Sequence, residues 1–570
     1  MKRLAIAYVA MMTVVGVQAQ DGNYTNGFWV LSEDWYGHQN STVNWMTTPQ
    51  REWYYRVFQE ENPGRVLGCT SQYGTVFADK LFIVSKQDRD PGDDRQGGRL
   101  TVCDARSLQL LAQLPGIGQA TASNGYRYQV DGRAFAGYDE HKGYLTTNNG
   151  VWVVDLHSLS VVDSVRGTTH QATGYDRVYT HQCGSIVRAA GKMFVAHQQR
   201  GLLVIDPATD SVVRTVAMPE EVAVNPEVQD ESVEDGNFDG AWDQRTSVGS
   251  VVLAKDGFLY CSVANRDGMG GRMNYLLRVD PVTYATQCIN LMERYGAYGP
   301  ANTWYSWTPD CFCASTQRNV LYWNGGPETR NASATIYQYD IDRDECAVFV
   351  DLSASTRRVY GCSFRVDPTT DHAMLSVQEK SDVTNPGDFG RPLFLLQEYD
   401  AEGTMLGEWD MIENYWFPSI PIFPDLHAPQ AVVGALDYTF TTTGEAAQAL
   451  CVDLSQVFAD ADDMTSAMCF RLTSSSRPDL LDARVEGKQL LIDPLQRQGN
   501  ATLTVQADSR GRVAEAQLNV TLLPDDSAVE GVRADLRPKR TTCDLLGRVG
   551  AWHNRGANIV VSDGRKSLCK

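Results

Sequence analysis

One unit of sequence recurs seven times between residues 41 and 409, and this repetition limits the fold more than any other feature. An alternating apolar run ends in Asp, a short polar turn follows, and a second apolar run begins. The unit reads LTVCDARSLQLLAQL at 100–114, VWVVDLHSLSVVDSV at 151–165, LLVIDPATDSVVRTV at 202–216 and LLRVDPVTYATQCIN at 276–290. It continues as IYQYDIDRDECAVFV at 336–350 and LFLLQEYDAEGTMLGEW at 393–409, with a weaker first copy at 41–58. Another strand precedes each copy, as in KLFIVSKQ, KMFVAHQQ and FLYCSVAN, and one more apolar segment and a turn precede most of those. Each unit is therefore four strands. The recurring Asp104, Asp155, Asp206, Asp280, Asp340 and Asp400 are 51, 51, 74, 60 and 60 residues apart. Four-stranded units at that spacing, with almost no helical periodicity, predict an all-β protein whose main body, 27–424, is a seven-bladed β-propeller. The Asp residues open hairpin turns such as Asp-Pro-Ala-Thr-Asp, where Asp bonds its own backbone, so they read as turn chemistry and not as a ring of carboxylates.

The remaining segments follow from composition and pattern. Lys2 and Arg3 precede the apolar run Leu4–Val17, and Val17-Gln18-Ala19 offers small residues for cleavage, so 1–19 reads as a secretory signal. Its apolar run is too short to span a bilayer. The chain is expected to be exported, to the cell surface, the medium or the periplasm. Net charge of −20 repels nucleic acid and anionic lipid. Thirteen cysteines are scattered and read as packing, with room for a few disulfides. Asn414–Pro429 is Pro-rich and should close the propeller. Short strands at 430–523, among them AMCFRLTS and ATLTVQAD, predict a small β-sandwich. Residues 524–541 form a charged linker by composition, and 542–570 a short C-terminal tail.

In a propeller the second-to-third and outer-to-next-inner connections share one end. These loops carry most of the chain's spare chemistry. Trp35, Tyr36, His38, Asn148, Arg200 and Asn265 fall in the first kind; Tyr126, Arg127, His181, Arg245, Trp304, Tyr305 and Trp307 fall in the second. Aromatic planes beside amides and guanidinium groups suit a large, partly polar small molecule, or a protein partner. No GxSxG, HExxH or phosphate-cradling glycine loop appears, so no catalytic residue is assigned. The two Thr-His-Gln triplets at 169–171 and 180–182 are the only local histidine clustering, and a third metal ligand is not evident.

The blade pattern resembles the YncE-like propellers, and GFWVLSEDWYGHQNSTV resembles more specifically a propeller family common in Bacteroidales. Some members of that group, the BtuG-type propellers, are surface lipoproteins that capture cobalamin for a TonB-dependent outer-membrane transporter; this chain lacks the lipid-bearing cysteine. The resemblance implies a non-enzymatic binding protein for a corrinoid or other nutrient, with that transporter as partner. Alternatives are a structural or adhesive surface protein, or a metal-dependent propeller enzyme of the lactonase or lyase type, whose ligands come singly from several blades. Residues 430–523 resemble bacterial immunoglobulin- or cadherin-like modules, in which carboxylates at the positions of Asp460, Asp462 and Asp463 gather calcium. The tail CDLLGRVGAWHNRGANIVVSDGRKSLCK resembles short C-terminal elements that direct type IX export, with Asn558 where an aromatic is usual.

Overall fold

The computed structural model describes residues 22–171, 179–226, 244–266, 272–301, 307–326, 333–379, 393–411, 417–432, 436–441, 450–495 and 497–523, together with three strands of the tail, 541–543, 558–562 and 565–569. The signal segment, Trp304, Tyr305 and most of the linker lie outside the described residues. No helix among the described residues is long and apolar enough to cross a membrane.

Among the described residues, seven four-stranded antiparallel sheets follow one another through residues 27–422, and the protein is a β-propeller. Six are built from consecutive strands. The first is built from both ends of the repeat region: Gly27–Ser32, Thr42–Thr47 and Trp53–Tyr54 are completed by Pro418–Ile422, which pairs with Gly27–Ser32 as the innermost strand. Inner strands pack side by side around the axis, from Pro418–Ile422 through Cys69–Phe77, Gly132–Gly137, Cys183–Ala189, Thr246–Leu253, Cys313–Ala314 and Arg357–Val366 back to Pro418–Ile422. The repeat region thus joins its own ends through a ladder of hydrogen bonds, so among the described residues this ring leaves no open edge around the axis. Second strands are almost wholly buried, as in Leu259–Asn265, because both of their faces meet a neighbouring blade.

The recurrent Asp residues do what their sequence context suggests. Asp104 Oδ1 accepts hydrogen bonds from the backbone N–H of Arg106 and Ser107, Asp155 Oδ1 from His157 and Ser158, and Asp280 Oδ1 from Val282 and Thr283. Four residues after five of these six Asp the chain turns left-handed, at Leu108, Leu159, Asp210, Tyr284 and Asp344, and three residues after Asp400 at Gly403, which completes the reversal into the outer strand. The eleven cysteines described at side-chain level are all free, and six of them are fully buried.

Beyond the propeller, Leu436–Thr441, Arg512–Leu523, Gly499–Ser509 and Cys469–Ser475 form one sheet, and Leu450–Asp453, Gln489–Pro494 and Leu481–Glu486 another. Their inner faces share a core that includes Leu454, Leu480, Leu490, Leu503 and Leu518. Leu436–Thr441 runs parallel to Arg512–Leu523, a pairing that the spacing of the strands does not announce.

This sandwich sits against one end of the propeller, the end formed by first-to-second and third-to-fourth turns. Arg188, at the foot of the fourth inner strand, is 8% exposed and holds two separate pieces of the sandwich. It pairs with Asp508 at 2.6 Å and donates to the carbonyl of Ala467 at 2.9 Å. The hairpin turn Arg510-Gly511 reaches Ala78, whose N–H donates to the Arg510 carbonyl at 2.7 Å. Gly511 has φ +81°, and a Cβ there would lie 2.7 Å from the Phe77 ring, so both backbone and space call for glycine. Arg471–Glu140, Arg512–Asp79 and Ser466 to the Ala254 carbonyl extend the joint over further blades.

Candidate functional site

With the sandwich on the turn end, the opposite end is where the propeller presents its connecting loops. Two groups of side chains stand out there.

The first crosses the second, third and fourth blades. A small hairpin, Gln119–Thr121 with Arg127–Gln129, rises between the second and third blades and sets Tyr126 and Tyr128 nearly parallel, 6.1 Å apart. The Tyr128 hydroxyl accepts from Asn149 Nδ2 at 2.8 Å, and the same carboxamide clamps both backbone groups of His170. His170 in turn stacks on His181 with ring centres 3.4 Å apart, and His197 meets His181 edge-on at 6.1 Å. Burial pushes the imidazole of His181 down to about 4 and that of His197 to about 3, with the Arg200 charge adding to both. Two face-to-face rings aim their lone pairs side by side, so they do not converge on one ion. Among the described residues no group of three His, Cys, Asp or Glu side chains could hold a metal.

Below this array lies a charged floor. Asp131 accepts from Arg99 at 2.7 Å and from the Tyr179 hydroxyl at 2.8 Å. Arg133, 3% exposed, bonds Gln182 Oε1 at 2.8 Å and lies 5.9 Å from the Tyr179 ring centre. Lys86 stands near Arg133; desolvation first, then that like charge, bring its amine down to about 8. Glu33 is buried beside it, and desolvation pushes its carboxyl up.

The second group is a ledge on the first blade. Trp35 and His38 pack with ring centres 4.0 Å apart, and Tyr36 is 57% exposed. The ledge is held by Asp90, which accepts from the N–H of Gly37 and of Gly92 while its own N–H donates to Asn40.

Several residues expected from the sequence to meet a ligand have structural roles instead. Trp307 is 1% exposed, donates its indole N–H to the Val248 carbonyl at 2.8 Å, and packs in the core between the fourth and fifth blades. Its φ of +61° turns the side chain inward from a loop whose sequence suggests exposure. Asn148 is buried and caps the Asp131 N–H, Asn265 is buried against Asn225, and Arg200 is tied to the Gly167 carbonyl and Thr215. Tyr126, Arg127 and Arg245 are exposed and His181 half-buried; Trp304 and Tyr305 lie outside the described residues. The sequence also puts Tyr128, Asn149 and His170 in loops of this end; His197, the last residue of the strand Lys192–His197, is the member of the array that sequence reading missed.

Asp460, Asp462 and Asp463, where the resemblance to calcium-binding modules places carboxylates, do not come together as a metal-holding group among the described residues. Asp462 accepts from the N–H of Leu426 and of His427, Asp460 from the Asp462 N–H, and Asp463 from Ser509. They are spent on the joint between propeller and sandwich.

The buried imidazoles give this end a pH signature. An unfolded histidine takes up a proton near pH 6.5, and His197 in the fold does not until about 3. Its contribution is therefore complete above pH 6.5 and shrinks as pH falls through that window. His197→Gln should close the stability gap between wild type and variant by about 2 kcal/mol between pH 7 and pH 5. Urea midpoints of both proteins at the two pH values measure it, and a gap that is constant with pH would show that His197 takes up its proton in the fold as it does in the unfolded chain.

Fold and site together define an all-β propeller protein with an aromatic and charged loop end and a sandwich on the other end. The chain belongs to the DUF5074 family, a domain of unknown function, whose pattern matches residues 26–424. No curated protein matches it. Among solved structures it is similar to a quinonprotein alcohol dehydrogenase-like protein from Bacteroides thetaiotaomicron, at 15% identity over 71% of this chain and 79% of that one, with a TM-score of 0.45. It is also similar to the extracellular domain of a putative one component system from the same organism, at 9% identity over 86% of this chain and 62% of that one, TM-score 0.31. A third, the Neurospora crassa Pan2 WD40 domain, is 11% identical over 60% of this chain and 87% of that one, TM-score 0.33.

Proposed function

We propose that this chain is an exported, non-enzymatic binding protein that captures a small molecule at the loop end of its propeller. The observation that carries this reading is the asymmetry of the two ends. The sandwich occupies one, and the other offers Tyr36, Tyr126 and Arg127 in the open above a buried charged floor. Flat apolar faces next to donors and acceptors give contact area and orientation at once, which a large, partly polar ligand needs. The basic residues and apolar run at the N-terminus, and the sorting-like tail, support delivery out of the cytoplasm. A corrinoid is the favoured ligand class, and a TonB-dependent outer-membrane transporter the favoured partner, on the likeness of the first blade to cobalamin-capturing propellers.

The test is a thermal-shift panel on the mature chain with cobalamin, haem and glycans. A compound that stabilises wild type should bind at least tenfold more weakly to the Tyr36→Ala/Tyr126→Ala double variant, about 1.4 kcal/mol, with the melting temperature of the free protein unchanged. No stabilisation by any compound sinks nutrient capture. Undiminished binding by the double variant moves the site elsewhere.

A further inference from the structure

The axis of the propeller holds a chamber of about 400 Å³ that meets the loop-end site at Arg133. Its walls come from the inner strands and its floor from the sandwich, through Asp463, Met464, Ala467 and Arg510. Two guanidinium groups enter it from different domains. Arg365, from the seventh blade, donates through Nη1 to the backbone carbonyls of Asp310 and Phe364, and its Nε and Nη2 have no hydrogen-bond partner among the described residues. Arg510, from the sandwich hairpin, makes no side-chain hydrogen bond among the described residues, and its nearest carboxylate is Asp463 at 3.7 Å. Both charges act on the phenol of Tyr73, opposing the rise that burial imposes on it, so all three groups share one locality.

Two carboxylates line the chamber, and Asp463 faces Arg510, whose charge Asp425, Asp460 and Asp462 also offset, which leaves Asp310 as the carboxylate near Arg365. Asp310 accepts from the Phe312 N–H at 3.0 Å, and burial pushes its carboxyl up to about 6. It meets Arg365 through its main-chain carbonyl, and no ion pair joins their side chains among the described residues. Both guanidinium groups are half-buried, and the free donors of Arg365 open into the chamber, where an anion can meet them. The rest of the lining is largely apolar, with Phe77, Val187, Val252 and Ile422 on the walls.

We propose that this chamber is a second binding site, for a small organic acid whose carboxylate is held between Arg365 and Arg510 beside the Tyr73 hydroxyl and whose apolar body lies against Phe77 and Val252. A planar carboxylate matches the fork of donors that each guanidinium presents, and the chamber is large enough for a dozen or so heavy atoms. Because Arg510 belongs to the sandwich, occupancy fastens the two domains together.

Titration calorimetry of the mature chain with 4-phenylbutyrate tests this. Saturable binding is expected, at least tenfold tighter than inorganic phosphate and at least tenfold weaker in Arg365→Gln and in Arg510→Gln. The uncharged 4-phenylbutyramide, which needs no variant, should give no saturable heat. Tyr36→Ala/Tyr126→Ala should bind the acid as wild type does, which separates this site from the loop-end one. Absence of saturable binding by the acid, equal binding of the amide, or full affinity in both arginine variants would overturn the site. Phosphate binding as tightly as the acid would overturn the organic ligand.

Discussion

Arg188→Ala should cost about 3–5 kcal/mol and separate the unfolding of the sandwich from that of the propeller. The guanidinium is nearly buried, and it is the one side chain that grips both the Thr465–Ala467 turn and the strand end at Asp508. Removing it strands the Asp508 carboxylate, 2% exposed and already pushed up by burial, without its counter-charge. It also leaves the Ala467 carbonyl without its donor. Calorimetry should then show two transitions where the wild type shows coupled unfolding. The double variant Arg188→Ala/Asp508→Asn should recover part of the loss, because the uncompensated charge goes with the pair. A single transition at the wild-type temperature in Arg188→Ala would mean that the sandwich is held by its other contacts alone.

Trp307→Ala should destabilise the propeller by about 3–5 kcal/mol, through the cavity it leaves between the fourth and fifth blades and the Val248 carbonyl it leaves unbonded. The backbone of Gly184 lies against it so closely that a Cβ on Gly184 would fall 3.0 Å from the Trp307 Cα, so the neighbouring strand is shaped to this side chain. Trp307→Phe should recover most of the apolar part and none of the hydrogen bond. Urea denaturation of the three proteins separates the two effects. A wild-type midpoint for Trp307→Ala would mean that the indole lies on the surface.

The contrast between Trp307 and the Asp turns explains what could be read from the chain. Strand repeats and Asp-led hairpins are local: alternation, a turn residue and a left-handed position four residues on are all written within one stretch of sequence. The blades and the sandwich strands were legible for that reason. The joint was not. Arg188 and Asp508 are 320 residues apart, and each looks like an ordinary strand end. Asp462, which the resemblance to calcium-binding modules would give to an ion together with Asp460 and Asp463, is likewise used by backbone N–H groups of Leu426 and His427 that only the folded chain brings near. Exposure of a loop aromatic is the weakest inference of all. Tyr36 stays out and Trp307 turns in, and a backbone angle decides between them.

The sandwich covers one end of the propeller, and the proposed ligand belongs to the other. Hydrogen–deuterium exchange of the mature chain distinguishes the two ends. Slow exchange is expected at the turn end where the sandwich docks, first at the Ala78 amide bonded to Arg510, with selective loss of that protection in Arg188→Ala. Adding cyanocobalamin should slow exchange around 34–38 and 119–129 and leave the joint unchanged. Rapid exchange at Ala78 in the wild type, or ligand protection confined to the turn end, would contradict this arrangement.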